Sequence, residues 1–435
     1  MKPTLLATIT IALGLSCAPA PSKAQTAPGP PDILTPTGQV PTGLPADPNL
    51  DRAGLSRLDI NALNSLFAPR AAPAGTSFVL RTVDNQSVTL IVDEIREDGP
   101  GSRVLSAHTP DRRGRAVLRF DGQHLNAVIR LESGDVLIRH WQGDLYLVRL
   151  MKRLTRMACA AGRIPRAPRR DYPAPQKWKP PSNDAVAVDL LLLYTPAVVT
   201  NWACGAPGPD CNAAAQEHGV QDDLAAGLDD LNQDLACSGV YMQYRSAGIE
   251  KFAYVENGDA NTDLDTLMGS VQKPILQALK AARHADLVSL IAWNETSGVG
   301  RLFHAIVADG DGYAISVVDS NQAVGNFQLA HETAHNIGAG HYEADGTGYY
   351  QYSRGWAWLV TSGGEQDVTI MTVPQNGAQH RVPDYSSPQV KWFGNTVGTA
   401  GANNALTLNL NAAAAAQFDT YGGLATMPRP ACPVQ

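Results

Sequence analysis

Residues 331–341 read HETAHNIGAGH, and this stretch is the strongest guide to both the fold and the chemistry of the chain. His331 and His335 are four residues apart, so on a helix both imidazoles lie on one face, about one turn apart, and can bind one ion. Glu332 follows the first histidine, where its carboxylate can reach a metal-bound water without binding the metal itself. The stretch therefore predicts a helix that carries a metal site.

The end of the same stretch predicts a turn and a third ligand. Gly338 can adopt a left-handed conformation, end the helix and redirect the chain. That turn is needed because His341 would otherwise lie off the face that carries the first two histidines. Three histidine ligands leave the fourth position of Zn²⁺ for water, which is the catalytic arrangement, whereas a purely structural zinc site is closed by a fourth protein ligand.

These residues predict hydrolysis of peptide bonds. Zinc held by His331, His335 and His341 would lower the pKa of its water and polarise the scissile carbonyl. Glu332 would take the proton of the water and pass it to the leaving amine. No serine or cysteine nucleophile is required, so the substrates would be proteins or peptides cleaved without a covalent intermediate.

The eleven-residue pattern resembles that of the metzincin zinc proteases. In that family a methionine turn lies beneath the metal, and residues 369–372, TIMT, fit it, followed by RVPDYSSP at 381–388. Together with VDLLLLYTP at 188–196, the combination is similar to bacterial reprolysin-like enzymes, including the peptidyl-Asp metalloendopeptidases. The resemblance covers about residues 186–390, and its zinc motif is far more specific than the rest.

The resemblance implies an α/β catalytic domain of the metzincin type. Its upper part would combine a mixed, twisted sheet with long helices, and its irregular lower part would contain Met371, which supports the histidines by packing. Two positions depart from related groups. Val373 stands where astacin-like and serralysin-like members have tyrosine, and Tyr342 follows the third histidine where reprolysins often have aspartate. These departures concern the subfamily and leave the zinc chemistry unchanged.

The resemblance also indicates where a substrate would lie. A peptide would extend along an edge strand near residues 298–307 and add to the sheet. The segment after Met371 would wall the pocket for the residue that follows the cleaved bond. Arg381 falls in that segment and would attract an acidic side chain. A surface or structural role for Arg381 is an equally open alternative.

The length of 435 residues suggests two domains. Residues 76–150 contain short apolar runs separated by turn pairs, which is typical of consecutive antiparallel strands. From Val186 onward, apolar strands alternate with long helical patterns, which favours a largely parallel sheet. The strand patterns include an apolar run at 186–193 and shorter runs at 240–244 and 252–255, and the helical patterns include 264–282 and the metal-site helix at about 324–337. We therefore expect a β-rich pro-domain at 25–170, a Pro-rich linker at 171–185 and a zinc metalloprotease catalytic domain at 186–435.

The N-terminus predicts export. Residues 5–15 form an apolar core behind Lys2, and Ser22 and Ala24 flank a small-x-small cleavage site. Residues 1–24 are thus interpreted as a cleaved signal peptide, which makes the protein secreted, either periplasmic or extracellular. Attachment to a lipid through Cys17 is the alternative. No later segment is long and apolar enough to predict a membrane span.

Charge is divided unevenly along the chain. Residues 1–170 carry 22 Lys+Arg against 14 Asp+Glu, whereas residues 171–435 carry 12 against 27. A basic front half and an acidic back half can attract each other, so the pro-domain is a candidate intramolecular inhibitor. The alternative is that both halves simply have solvated charged faces. The acidic back half argues against nucleic acid as a ligand.

The cysteines suggest a latency device. They are Cys17, Cys159, Cys204, Cys211, Cys237 and Cys432. Export favours disulfides. The four cysteines of the back half allow three connectivities, of which the pairings Cys204–Cys211 and Cys237–Cys432 are plausible. Metzincin precursors often block zinc with a pro-domain cysteine. Cys159, in RMACAAG at 156–162, could fill the open zinc position in this way; a disulfide or a buried, inert thiol is the alternative.

Other interpretations remain open at this level. Residues 309–312, DGDG, hint at a calcium loop but supply too few ligands for a Ca²⁺ site to be supported. A secreted zinc-binding or adhesion module that has lost activity could use the same fold, although an intact Glu332 argues against it. The β-rich front domain could alternatively bind carbohydrate or a surface.

Overall fold

The computed structural model describes most of the chain beyond the N-terminus. The described residues are 29–44, 47, 49–68, 74–99, 101–153, 159, 182–202, 212–293, 295, 297–302, 314–342, 347–359, 365–373, 379–419 and 424–432. The predicted signal peptide, Cys17, the Cys204–Cys211 pair, residues 309–312 and most of the predicted linker lie outside these ranges. No helix within the described ranges combines the length and hydrophobicity that a membrane span requires.

Residues 32–151 form a closed β-barrel, whose described strands run in the order β1-β2-β9-β8-β7-β6-β5-β4-β3. The strands are β1 (Asp32–Pro36), β2 (Leu50–Leu58), β3 (Ser77–Arg81), β4 (Ser87–Glu97), β5 (Arg103–His108), β6 (Arg115–Phe120), β7 (Leu125–Arg130), β8 (Val136–Gln142) and β9 (Leu145–Met151). All neighbours pair antiparallel except β1 and β3, whose parallel contact closes the barrel. Helix α1 (Ile60–Phe67) packs Leu63, Leu66 and Phe67 into the barrel core.

A mainly parallel sheet begins at residue 185. Its strands are β10 (Ala185–Tyr194), β11 (Met242–Lys251), β12 (Leu287–Ala292), β13 (Val299–Gly300) and β14 (Ile315–Asp319), with the short strand Thr426–Met427 beside β10. In the order β11-β10-β12-β14-β13 the first four strands are parallel, and β13 runs antiparallel to β14 at the edge. The edge strand thus falls at the start of the predicted substrate-binding segment.

Both faces of this sheet are covered by helices. They are α2 (Pro196–Asn201), α3 (Ala213–Cys237), α4 (Ala260–Leu267), α5 (Gln272–Arg283), α6 (Gln328–His335) and α7 (Asn404–Ala415). Leu190 and Leu192 pack into the core on the side of α3 and α6, whereas Leu191 and Leu193 pack on the side of α4 and α5. Because successive strand residues point to opposite faces, burial on both sides explains the apolar run of β10, which Asp189 alone interrupts.

Several element boundaries differ from those that the sequence pattern predicts. The metal-site helix was expected from about residue 324, but residues 320–327 form turns and α6 begins at Gln328, after Phe327 in a left-handed conformation (φ 58°). The helical pattern at 264–282 is divided between α4 and α5 by turns at 268–271. The two strands predicted at 240–244 and 252–255 are replaced by the single strand β11, which has a bulge between Ser246 and Gly248.

Between α6 and α7 the described residues are mostly irregular and form only short strands. These are β15 (Ala357–Leu359), β16 (Gln366–Val368), β17 (His380–Arg381), β18 (Lys391–Trp392) and β19 (Asn395–Thr396). Met371 lies within this segment and is fully buried in the same core as α3 and α6. A disulfide joins Cys237, at the end of α3, to Cys432, so this predicted pairing is confirmed.

The barrel contacts α3 through buried ion pairs. Arg115 of β6 pairs with Asp234, and Arg130 of β7 pairs with Asp230; all four side chains are at most 5% exposed. The Arg130 guanidinium also lies 3.8 Å from the centre of the Phe327 ring, next to α6. The opposite charges of the two halves of the chain therefore meet within one molecule.

Candidate metal centre

The three predicted metal ligands converge on one point. His331 and His335 lie one turn apart on α6, and their Nε2 atoms are 3.2 Å from each other. The Nε2 atom of His341 lies 3.2 Å from that of His331 and 3.0 Å from that of His335. All three side chains are buried, and the two on the helix are fully so.

The outer nitrogens of the two helical histidines fix the protonation of the rings. His331 Nδ1 lies 2.8 Å from the carbonyl oxygen of Ile370, and His335 Nδ1 lies 2.9 Å from that of Ala339. A carbonyl oxygen only accepts, so each Nδ1 carries the hydrogen and, in the neutral ring, each Nε2 presents a lone pair to the centre. Burial, with the two neighbouring imidazoles, lowers the pKa of His331 well below its ordinary value, which favours this neutral form.

This arrangement fits a zinc-sized ion. The three Nε2 atoms lie 3.0–3.2 Å apart with their lone pairs facing one another. Because no hydrogen lies between them, these contacts are not hydrogen bonds. Three nitrogens bound tetrahedrally to Zn²⁺ at 2.0–2.1 Å would be separated by about 3.3 Å, close to the distances found. Carbonyl partners on the outer nitrogens of His331 and His335 are also the usual support of metal-binding histidines.

The turn that delivers His341 depends on glycine and on one distant asparagine. Gly338 has a φ of 100°, the left-handed conformation that the sequence predicted for it. Gly340 is held by Asn404, which accepts from its N–H at 3.0 Å and donates to its carbonyl oxygen at 2.9 Å. A Cβ atom at Gly340 would lie 2.3 Å from the carbonyl oxygen of Ser353, so only glycine fits this crossing.

Glu332 lies beside the histidine cluster with a fully buried carboxylate. Burial raises the pKa of Glu332 to about 8. Its Oε1 atom faces the backbone of Gly298, next to the edge strand β13, where an added Cβ would come within 2.5 Å of it. Gly298 therefore leaves the space that this carboxylate occupies.

Cys159 reaches the same centre from the front part of the chain. Its Sγ atom lies 3.7 Å from Glu332 Oε2 and 3.7 Å from His335 Nε2. The ligand atoms of Cys159 and of the three histidines all lie within 4.8 Å of one another. The backbone of Cys159 forms a parallel β-bridge with Gly298, so it occupies the edge where the sequence predicts a substrate.

Arg381 lies near the centre and is only 5% exposed, which excludes the surface role considered from the sequence. Its guanidinium donates to the carbonyl oxygens of Thr372, at 2.6 Å, and Asn326, at 3.3 Å. Burial lowers its pKa to about 10, against the opposing attraction of Cys159 and Glu332. This position is compatible with a structural contribution and with the predicted role in the pocket for the residue that follows the cleaved bond.

Sequence reasoning missed several supporting residues. Asn404 holds the turn, Gly298 leaves room for the Glu332 carboxylate, and the Tyr385 hydroxyl donates to the Ala330 carbonyl on α6 at 2.8 Å. The carbonyl of Ile370, just before Met371, supports His331 directly. The methionine-turn pattern pointed to this neighbourhood, but the asparagine carries no local signal. His380 is a buried histidine paired with Asp367 at 2.7 Å, away from the metal ligands.

Comparison with known proteins gives distant relatives of one kind. No family model matches the chain. A peptidyl-Asp metalloendopeptidase of Stenotrophomonas maltophilia strain R551-3 is 28% identical over 311 residues, covering 67% of this chain and 70% of the relative. The protein of the same name from strain K279a is 26% identical over 309 residues, with the same coverage.

Two further similarities are more limited. A peptidyl-Asp metalloendopeptidase of Pseudomonas aeruginosa is 26% identical over 234 residues, covering 47% of this chain and 35% of the relative. A solved structure described as a chaperone–substrate complex aligns with 79% of this chain at 13% identity and a TM-score of 0.42. The chain spans 46% of that structure's length, and the score is too low to indicate a shared fold.

Proposed function

We propose that this chain is a secreted zinc-dependent endopeptidase that is made as a latent precursor. The observation that carries the proposal is the convergence of three histidine Nε2 atoms beside the buried carboxylate of Glu332. The relatives named metalloendopeptidases support hydrolysis of peptide bonds in proteins at a coarse level. In this proposal residues 186–435 are a metzincin-type catalytic domain.

The histidines would hold zinc, and Glu332 would handle protons. When bound, zinc polarises the scissile carbonyl and makes a water more acidic. Glu332 accepts a proton from the attacking water at a carboxylate oxygen and delivers it to the leaving amine nitrogen. Burial makes the Glu332 carboxylate a stronger base than an exposed one, which suits it to accept a proton.

Latency would come from the front part of the chain. The Cys159 sulfur lies within reach of the metal position, and its backbone pairs with the edge at Gly298, so one segment would block both metal and substrate. Ion pairs between barrel arginines and α3 would hold the pro-domain, residues 25–170, in place. Cleavage in the linker, 171–185, and loss of the barrel would then free the site.

Arg381 is the candidate for substrate preference. It is buried near Glu332, and its positive charge would attract an acidic side chain at the residue after the cleaved bond. The relatives are named for cleavage at aspartate, which supports the same preference here.

A cleavage assay tests the function itself. The matured protein should hydrolyse casein, lose activity with a chelator and regain it when Zn²⁺ is restored. An inactive zinc-binding or adhesion module would bind the metal but release no peptides under any of these conditions. That result would overturn the proposal.

A further inference from the structure

A second group of side chains of the kind that bind metals lies outside the histidine triad, at the junction of the barrel and α3. It consists of Asp121, His124, His218 and Asp222, whose candidate ligand atoms all lie within 4.8 Å of one another. The group borders a cavity of about 310 Å³, which His124, His218 and Asp222 line. The proposed peptidase chemistry uses none of these residues.

The barrel supplies two of the four side chains from one tight turn between β6 and β7. Asp121 Oδ1 accepts from the backbone N–H groups of Gln123 and His124, at 2.7 and 2.6 Å. These bonds direct the other oxygen, Oδ2, toward the junction, where His124 Nδ1 lies 3.3 Å from it. The His124 ring is packed against His140, with 4.4 Å between ring centres, which limits its rotation.

Helix α3 supplies the other two. His218 and Asp222 are four residues apart, one turn along the same face, which is the spacing that lets two side chains bind one ion. The Nε2 atom of His218 lies 3.5 Å from Asp222 Oδ2 and 3.7 Å from Asp121 Oδ2. One imidazole nitrogen therefore faces a carboxylate from each side of the junction.

The separations are close to those of ligand atoms that share one ion. His124 makes a long hydrogen bond to Asp121, at 3.3 Å, whereas the two contacts of His218, at 3.5 and 3.7 Å, exceed the usual range of about 2.7–3.2 Å for nitrogen–oxygen hydrogen bonds. Ligand atoms about 2.0–2.2 Å from a tetrahedral zinc ion would lie about 3.3–3.6 Å apart. Two imidazoles with two carboxylates are a donor set that suits Zn²⁺ and neighbouring divalent transition metals.

We propose that Asp121, His124, His218 and Asp222 form a second binding site for a divalent transition-metal ion of the Zn²⁺ class, shared by the barrel and α3. The ion would link the two parts of the chain, because each contributes one imidazole and one carboxylate. The four side chains supply the four positions of a tetrahedral zinc ion. This inference does not rest on the proposed peptidase function.

Zinc content tests the site directly. Full-length Glu332→Gln precursor, purified without a histidine tag, is dialysed against Zn²⁺ and desalted, and its metal is measured by mass spectrometry. We expect about two zinc ions per chain, and about one fewer in the double variant His124→Ala/His218→Ala. His284→Ala is the matched control, since this exposed histidine also pairs with a carboxylate, Asp419, at 3.3 Å, and it should leave the content unchanged.

A second background separates this site from the histidine triad. His331→Ala/His335→Ala should retain one zinc ion, and Zn²⁺ should raise its thermal midpoint, because an ion that binds only the folded chain stabilises it. Adding His124→Ala/His218→Ala to that background should abolish both effects. Zinc content or Zn²⁺-induced stabilisation that the junction substitutions leave unchanged would overturn the second site, whether or not the triad binds zinc.

Discussion

The Sγ atom of Cys159 lies 3.7 Å from the Nε2 atom of His335, although the residues are 176 positions apart in the chain. The contact brings a thiol from the front part of the chain to the side of the histidine triad where Glu332 lies, since the same sulfur is also 3.7 Å from Glu332 Oε2. A thiolate in this position would compete with water for the metal. In the proposed function, this one contact would link latency with catalysis.

Replacing this thiol should release the block. Cys159→Ser should give an uncleaved precursor with at least about tenfold more peptidase activity, equivalent to about 1.4 kcal/mol of lost blocking interaction, because a hydroxyl is a weaker zinc ligand than a thiolate. The double variant Cys159→Ser/Glu332→Gln is the control and should neither cleave a fluorogenic peptide nor process itself. A Cys159→Ser precursor as latent as the unchanged chain would rule out the thiol as the switch.

Gly298 provides a way to move Glu332, the proposed general base, without replacing a histidine of the triad. A methyl group in Gly298→Ala would come within 2.5 Å of Glu332 Oε1 and 2.7 Å of the Gln328 side chain, so the Glu332 carboxylate would have to shift. Peptide cleavage should fall by about 100-fold or more, as expected when a positioned base is lost, while zinc content stays unchanged. Gly401→Ala is the matched control, since a Cβ there meets nothing closer than 3.9 Å. Equal activity of the two variants would contradict this role of Gly298.

Arg381 should determine which residue follows the cleaved bond. Arg381→Ala should reduce the ratio of kcat/KM for an aspartate peptide over its asparagine counterpart by about 10- to 100-fold, since a hydrogen bond to a charged group contributes about 1.5–3 kcal/mol. Arg381→Lys keeps the charge but loses the guanidinium fork, and should give an intermediate ratio. A ratio that is unaffected, even if overall activity falls, would leave Arg381 with a structural role only.

The buried ion pairs should contribute to the stability of the precursor. Arg115→Ala leaves Asp234 buried without its charge partner, at a cost of about 3–5 kcal/mol. Arg57→Ala removes an arginine that pairs with Asp144 at an exposed site, where about 0–1 kcal/mol is expected. Urea unfolding of the full chain should therefore begin at a clearly lower concentration in Arg115→Ala. Matching unfolding curves would mean that the pair at the junction stabilises nothing.

The sequence predicted the parts of the molecule whose signals are local. The three histidines and Glu332 lie within eleven residues, so helical spacing and one glycine turn were enough to predict that their side chains converge. The apolar run at 186–193 likewise falls within β10, because a strand buried on both faces has an unmistakable composition.

What the sequence did not reveal depends on contacts between distant segments. Closure of the barrel comes from the parallel pairing of β1 with β3, which no local pattern encodes. Asn404 supports Gly340 across 64 residues, and its amide is unremarkable in sequence. Arg381 is buried and donates to carbonyl oxygens on two separate loops, which no local pattern indicates. The contact of Asp121 with His218 requires the barrel and α3 to be packed together.

The most direct test of the central claim measures zinc and cleavage in the same sample. Matured Glu332→Ala should bind as much zinc at the histidine triad as the unchanged protein. It should lose peptide cleavage by about 100- to 10,000-fold, the contribution expected of a general base. Full cleavage by a zinc-loaded Glu332→Ala protein would contradict the account.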